Sequence, residues 1–337
     1  MVRLGVTIKA GIVAIALAVT LMALTAQVAG ASSPSSKNSL KPRTGTPAFL
    51  LDRGRFTAYD APGARLETSA TGINNRGQIT GSVVDADGVY HGYLRDRRGR
   101  ITGIDLRGAV ATAPAGINNR GEIVGRYYES APIRGPDSRF RGYLQDGRKL
   151  IRIDVPGALK TQAVDINNGG HVVGEYLDTD GAFHGFLWRE GRFTTIDFPG
   201  AAGTSLTGIN DRGEILGVHV DSTTGAVHGF VLKRGRFKSF DAPGAPITLP
   251  MDINNHGDIV GVTILDADLT GGRAFLLAKG VGGRFTPIDF PGAPRTFAFA
   301  INDRGAITGT YENTRATSIP PAGGEQPMGM SLGDGTL

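Results

Sequence analysis

The 337-residue chain has no cysteine, a single tryptophan and no window of sustained helical periodicity. Without cysteine there are no disulfides, so an exported form of this chain must be held by its core alone. No thiolate is available to a zinc site, and none can carry a lipid at a processing site, which excludes a lipoprotein. The absence of a 3.6-residue apolar period argues against helices and for an all-β chain. Long apolar runs are also missing. The only candidate, from about Ala10 to Leu24, is about 15 residues, short of the roughly 20 that a membrane-spanning helix needs. Arg3 and Lys9 precede it and Ala29-Gly30-Ala31 follows, which is the pattern of a secretory signal peptide over 1–31. A mature chain starting near Ser32 would be secreted, with no stable membrane span after cleavage. An uncleaved N-terminal anchor is the alternative. A large charge of one sign is likewise missing. The formal net charge is +5, or +3 once Arg3 and Lys9 leave with the signal peptide, and both signs are interleaved along the chain. That reads as a solvated surface with no nucleic-acid stripe.

What the chain does have is a repeat. The motif Ile-Asn-[Asn/Asp]-x-Gly starts at Ile73, Ile117, Ile166, Ile209, Ile253 and Ile301, at spacings of 43 to 49 residues. Three further markers keep step with it. A Thr stands five residues before each Ile, and a Gly eight residues after. The motif Asp-x-Pro-Gly-Ala begins at Asp60, Asp154, Asp197, Asp241 and Asp289, with Asp105-Leu106-Arg107-Gly108-Ala109 as a variant. Six copies with four aligned markers define six tandem units.

Each unit parses into four short strands with turn chemistry between them. In the fourth, they are Phe183–Trp188, Arg192–Asp197, Thr204–Ile209 and Glu214–Val220. Arg189-Glu190-Gly191 reads as a tight hairpin, and Phe-Pro-Gly-Ala stops a strand because Pro lacks the ladder donor. The Asn-x-x-Gly segment reads as a type I turn whose Asn caps its own backbone and whose Gly enters the left-handed region. The turn residues so assigned are Asn74 and Gly77, Asn118 and Gly121, Asn167 and Gly170, Asn210 and Gly213, Asn254 and Gly257, and Asn302 and Gly305. Four strands in about 45 residues is the size of a propeller blade, so the chain is expected to be a six-bladed β-propeller over 47–311. An open β-solenoid is the competing architecture, although its coils repeat in fewer residues. Residues 32–46 read as a Ser/Pro/Lys linker and 312–337 as a disordered tail. The blade phase, and with it the mode of ring closure, is not fixed by these patterns.

The sequence Gly-Ile-Asn-x-x-Gly-x-Ile-Val-Gly-x-Tyr, followed by His-[Ala/Gly]-Phe, resembles the HAF family of extracellular repeats. The matching segments include Gly72 to Gly81, Gly116 to Tyr127 and Gly208 to Gly217, with His91-Gly92-Tyr93, His184-Gly185-Phe186 and His228-Gly229-Phe230. Arg141 and Arg273 stand where the pattern has His, and Asp165 and Asp252 replace the Gly before Ile-Asn. The resemblance implies an exported, propeller-like protein and no particular activity.

Candidate chemistry is sparse. The Asp of Asp-x-Pro-Gly-Ala occurs in every unit, which suits a structural acceptor for turn amides better than an acid or base. His91, Arg141, His184, His228 and Arg273 occupy equivalent positions before a strand, and could form a basic ring for an anionic ligand. Three His in different units make a poor zinc set. Asp85-Ala86-Asp87-Gly88 and Asp178-Thr179-Asp180-Gly181 look like calcium-loop fragments but fall where hairpin turns are due. Gly329-Met330-Ser331-Leu332-Gly333 matches a nucleophile elbow, yet no His follows it. The segment from Gly125 to Gly142 is longer than its equivalents and carries Tyr127, Tyr128, Arg134 and Arg139, residue types favoured at interfaces. No catalytic residue, metal site or cofactor is assigned. The expectation is a monomeric, secreted binding or scaffold module for an unknown glycan or protein. The alternative is a polysaccharide lyase or hydrolase working at one mouth of the ring. Carboxylates present in only one or two units and converging on the axis would favour that alternative.

Overall fold

A computed structural model describes residues 45–133, 138–265 and 272–313 of the chain. The signal-peptide segment, most of the linker, Arg134, the tail from residue 314 and the Gly-x-Ser-x-Gly motif lie outside the described residues. Among those described, there are 24 strands, β1 to β24, and no helix. They form six four-stranded antiparallel sheets arranged as a six-bladed propeller.

Five blades are meanders, continuous in sequence: residues 67–103 (β3–β6), 111–153 (β7–β10), 160–196 (β11–β14), 201–240 (β15–β18) and 247–288 (β19–β22), here blades 1 to 5. Blade 6 closes the ring. Its two inner strands are β23 (Thr296–Ile301) and β24 (Ile307–Tyr311), and its two outer strands come from the start of the chain, β1 (Ala48–Asp52) and β2 (Arg55–Tyr59). Ala48 to Leu51 pair with Thr310 to Ile307, so both chain ends share one sheet and neither end strand leaves an open edge. The repeat seen in the sequence is therefore the outer half of one blade plus the inner half of the next. Residues 312 and 313, beyond the last strand, are also described, and Arg295 grips Glu312 through two hydrogen bonds of 2.6 and 2.9 Å.

The blades are joined by apolar side chains that interleave across their interfaces. Val173 and Leu187 of blade 3 pack with Leu206, Ile209, Ile215 and Phe230 of blade 4, all buried. Leu216 of blade 4 packs with Ile253, Ile259, Phe275 and Leu277 of blade 5. Burying each such side chain contributes about 1.5–3 kcal/mol, and no single blade could do so alone. This is why six weakly patterned units form one cooperative domain.

The four sequence markers each have a geometric cause. The Gly eight residues after Ile sits where the second strand crosses the first. A Cβ at Gly174 would stand 2.0 Å from the Gln162 carbonyl oxygen, and at Gly81 1.8 Å from that of Ser69. The marker Thr accepts, through its hydroxyl, the backbone N–H of the residue after Asp in the preceding blade's last turn, at 2.9–3.3 Å in all six copies. The Asp-x-Pro-Gly-Ala segment closes with an N–H donated from its Ala to the carbonyl of x in all six, with its Gly at positive φ, a type II turn. The variant Leu106-Arg107-Gly108-Ala109 makes the same turn without Pro. The Asn turns are the fourth.

Candidate functional site

The six Asn turns meet at one mouth of the ring. The side-chain oxygen of Asn210 accepts from the N–H groups of Arg212 and Glu214, which is the self-capping that the sequence suggests. Its amide does something that local sequence does not announce. Each motif's first Asn donates from Nδ2 to the backbone carbonyl of the corresponding Asn in the next blade, at 2.9–3.3 Å, from Asn74 to Asn118 and onward until Asn302 returns to Asn74. A second circuit lies beside it. The N–H of Asn75 donates to Oδ1 of Asn119, and the pattern continues through Asn168, Asp211, Asn255 and Asp303 back to Asn75, at 2.7–2.9 Å. Two closed circuits of six hydrogen bonds thus lace the blades together.

Inside these circuits is an axial cavity of about 70 Å³. Each inner strand carries a bulge just before its Ile, and the bulge turns the next side chain towards the axis. In blades 1, 2 and 4 that residue is Gly; in blades 3 and 5 it is Asp165 and Asp252, both lining the cavity. Asp165 accepts from the N–H of Ile209 at 2.8 Å, and Asp252 from that of Ile301 at 2.8 Å, each in the following blade. The glycines leave room for them, since a Cβ at Gly116 would meet Asp165 Oδ1 at 2.7 Å. Loss of solvation pushes the Asp165 carboxyl up to about 6, and the same cause, with the charge of Asp165 added, raises Asp252 well above its ordinary value.

A carboxyl whose folded pKa exceeds its unfolded one stabilises the fold at low pH and loses that contribution as pH rises through the folded value. Asp165→Asn/Asp252→Asn keeps an oxygen for each backbone N–H and removes the repulsion. The double variant should therefore melt above the parent at pH 7, with the gap narrowing towards pH 4. A gap that does not change between these pH values would show that the two carboxylates are not destabilised by their site.

The opposite mouth carries the predicted basic positions. His91 Nδ1 lies 2.9 Å from Asp105, His184 Nδ1 2.8 Å from Asp197 and His228 Nδ1 2.8 Å from Asp241, while Arg141 and Arg273 pair with Asp154 and Asp289. The Asp of each Asp-x-Pro-Gly-Ala in blades 1 to 5 is therefore held by the basic residue of the neighbouring strand, where the sequence suggested turn amides. Asp105 hydrogen-bonds and raises His91 against the effect of burial. At His184, burial opposes the charge, but Asp197 and Asp178 outweigh it and the net shift is upward. Each of these basic side chains is matched by a carboxylate of its own blade. Asp85 and Asp178 spend one oxygen on the amides of their own turns and the other on His91 and His184, so the Asp-x-Asp-Gly segments are built as turns.

Tyr127 and Tyr128 are not on an exposed loop. Both are buried within β8 (Ile123–Tyr128), and Tyr128 accepts a hydrogen bond from Arg126. Arg126 itself is buried and reaches blade 3, where Nη1 donates to Gln162 at 2.7 Å. Nearby Glu175 is also buried, which pushes its carboxyl up to about 7 against the pull of Ser205 and Arg126. The sequence reading missed both. Their only signal is that charge stands where the equivalent strands have Val218 and Val262.

A larger opening lies on the rim. A groove of about 800 Å³ runs between the outer hairpins of blades 4 and 5, on the side of the Asn turns. Its floor includes Val231, Ile253 and Ile259. One wall carries Lys233, Arg234, Arg236 and Lys238, from β17 (Val227–Lys233), β18 (Arg236–Phe240) and the turn between them. The other wall is the turn from Lys279 to Val281. It is pinned by Lys238 Nζ donating to the Val281 carbonyl at 3.3 Å and by the Lys279 N–H donating to Asp258 at 2.9 Å.

No family model matches this chain, and no curated protein matches its sequence. Solved structures do match its shape. A protein described as TolB from Agrobacterium tumefaciens superposes with a TM-score of 0.59 at 12% identity, over 79% of this chain and 98% of that one. TolB from Acinetobacter baumannii gives a TM-score of 0.50 at 13% identity, over 80% of this chain. The likeness is one of fold alone. This chain spans 64% of the length of the Acinetobacter protein.

Proposed function

We propose that this chain is an exported, non-catalytic binding propeller of the HAF-repeat type, taking a glycan or protein ligand on its rim. The observation that carries this reading is the contrast between the axial cavity and the rim groove. Ligand pockets commonly enclose about 300–1,000 Å³; the axial cavity has about 70 Å³ and the rim groove about 800 Å³. The segment 1–31 supports export, and the repeating Asn, Thr and Asp residues have structural partners that leave them little freedom for chemistry.

A thermal melt of the secreted chain against calcium, zinc and a panel of polysaccharides tests the reading. A ligand at 100 times its dissociation constant stabilises by about 2.7 kcal/mol, a rise of roughly 5–10 °C at this size. One class of ligand is expected to give such a rise without being consumed.

A second reading has one specific observation in its favour. Asp165 and Asp252 occur in only two blades and converge on the axis, as a pair of catalytic carboxylates would. Cleavage of a polysaccharide by the parent, lost in Asp165→Asn, would replace the binding reading with a hydrolase or lyase.

A further inference from the structure

We propose that the groove between blades 4 and 5 is a binding site for a polyanionic polysaccharide, whose carboxylate or sulfate groups are met by the two cationic walls. This inference rests on the reading of the chain as a rim-binding propeller and names the ligand class.

The groove is lined by six Lys or Arg side chains, among them Arg212, Lys233, Arg234 and Lys279, and by one carboxylate, Glu214. Glu214 is already matched, by Lys233 at 2.5 Å and Arg212 at 3.1 Å. Among the described residues, Arg234, Arg236 and the Lys279 ammonium make no ion pair. All three are exposed. A cluster of unmatched cations on low-dielectric walls is held at a standing cost of mutual repulsion, which an anionic chain would relieve.

Two departures from the six-fold pattern make this groove. The equivalent hairpins of blades 6, 1, 2 and 3 each contain an acid, namely Asp52, Asp96, Asp146 and Glu190, whereas Lys233-Arg234-Gly235-Arg236-Phe237-Lys238 contains none. In blade 5, the two aromatics flanking the hairpin, Phe275 and Phe285, are ten positions apart, against seven for Phe230 and Phe237. The extra residues build the second wall. Its anchoring by Lys238 and Asp258 holds it open as a groove.

The turn itself accepts a cost. Arg234 and Lys279 sit at φ of 50° and 62°, the left-handed region that favours Asn and Gly. Arg53 and Glu190 take the same conformation in the hairpins of blades 6 and 3, at φ of 50° and 49°, so it belongs to the hairpin and is not peculiar to the groove.

The groove has no Phe, Tyr or Trp in its lining, and its one ring, His256, is held at the Asp303 carbonyl at 3.0 Å, so it lacks the row of aromatic platforms on which successive nucleic-acid bases stack. Its cations instead suit the repeated charges of an acidic sugar chain.

Arg234→Asn/Lys279→Asn gives the decisive test. Asn accepts positive φ better than Arg or Lys, so this variant should melt at or above the parent. Binding of the secreted chain to polygalacturonate and to dextran sulfate would be measured by calorimetry, with neutral dextran and a single-stranded oligonucleotide as comparisons. The parent should bind one or both polyanions, with an affinity falling linearly in log salt. The double variant should bind about tenfold more weakly and with a shallower salt slope. The stronger of the two polyanions tells whether carboxylate or sulfate is preferred. No binding to either polyanion, unchanged binding by the variant, or preference for the oligonucleotide would each overturn the assignment. A neutral polysaccharide that stabilises the fold in the same assay would leave the binding-module reading standing while removing this one.

Discussion

Gly174→Ala is expected to destabilise the propeller by about 3 kcal/mol or more, lowering the melting temperature by roughly 10 °C. The added methyl would stand 2.0 Å from the Gln162 carbonyl oxygen and 2.9 Å from the Phe186 ring. One neighbour is inner-strand backbone and the other a fully buried core ring, so relief requires the sheet to move. Gly213→Ala supplies the internal comparison. Gly213 has φ of 71° and open space where a Cβ would go, so its cost is conformational only, about 1 kcal/mol or 2–4 °C. Thermal melts of the two variants side by side separate the two causes. Equal losses would mean that the blade's two inner strands are not as close as described.

Asn210→Ala should cost about 3 kcal/mol. It removes the acceptor from two backbone N–H groups, those of Arg212 and Glu214, and the donor from the Asn254 carbonyl in the next blade. Asn210 is buried, so water cannot easily replace these partners. Asn210→Asp discriminates between the roles. It keeps the turn's acceptor but sets a second negative oxygen against the Asn254 carbonyl and Glu214, to which Nδ2 now donates at 2.7 Å. Its melting temperature should fall nearly as far as that of the Ala variant at pH 7, and recover in part in acid as the new carboxyl takes up a proton. Full stability of the Asp variant at pH 7 would mean that the Asn serves its own turn and not the ring.

The strand count, the Asn-x-x-Gly turns and the hairpin positions were legible because they rest on local causes. Pro stops a ladder, Gly enters the left-handed region, and Asn caps the amides that follow it within four residues. Those rules act over short stretches and recur in every unit. The Asp of Asp-x-Pro-Gly-Ala shows where local reasoning fails. Its partner at His91, Arg141 or His184 is 13 or 14 residues away, brought alongside by strand pairing. Tyr127 and Tyr128 looked like loop residues because the long segment begins beside them, but burial of β8 places them in the core.

The groove was half legible. A run of four cations without an acid stands at 233–238, and the longer hairpin of blade 5 can be counted, yet nothing local says that they face each other. Sequence by itself determined the unit, its number and its turn chemistry, since each follows from the φ/ψ preferences and hydrogen-bonding reach of neighbouring residues. Tertiary structure alone decided the blade phase, the sharing of blade 6 between both chain ends, the Asn circuits, the pairing of Asp165 with Asp252 and the two walls of the groove. All of these join residues more than 40 positions apart, and only closure of the ring fixes their distances.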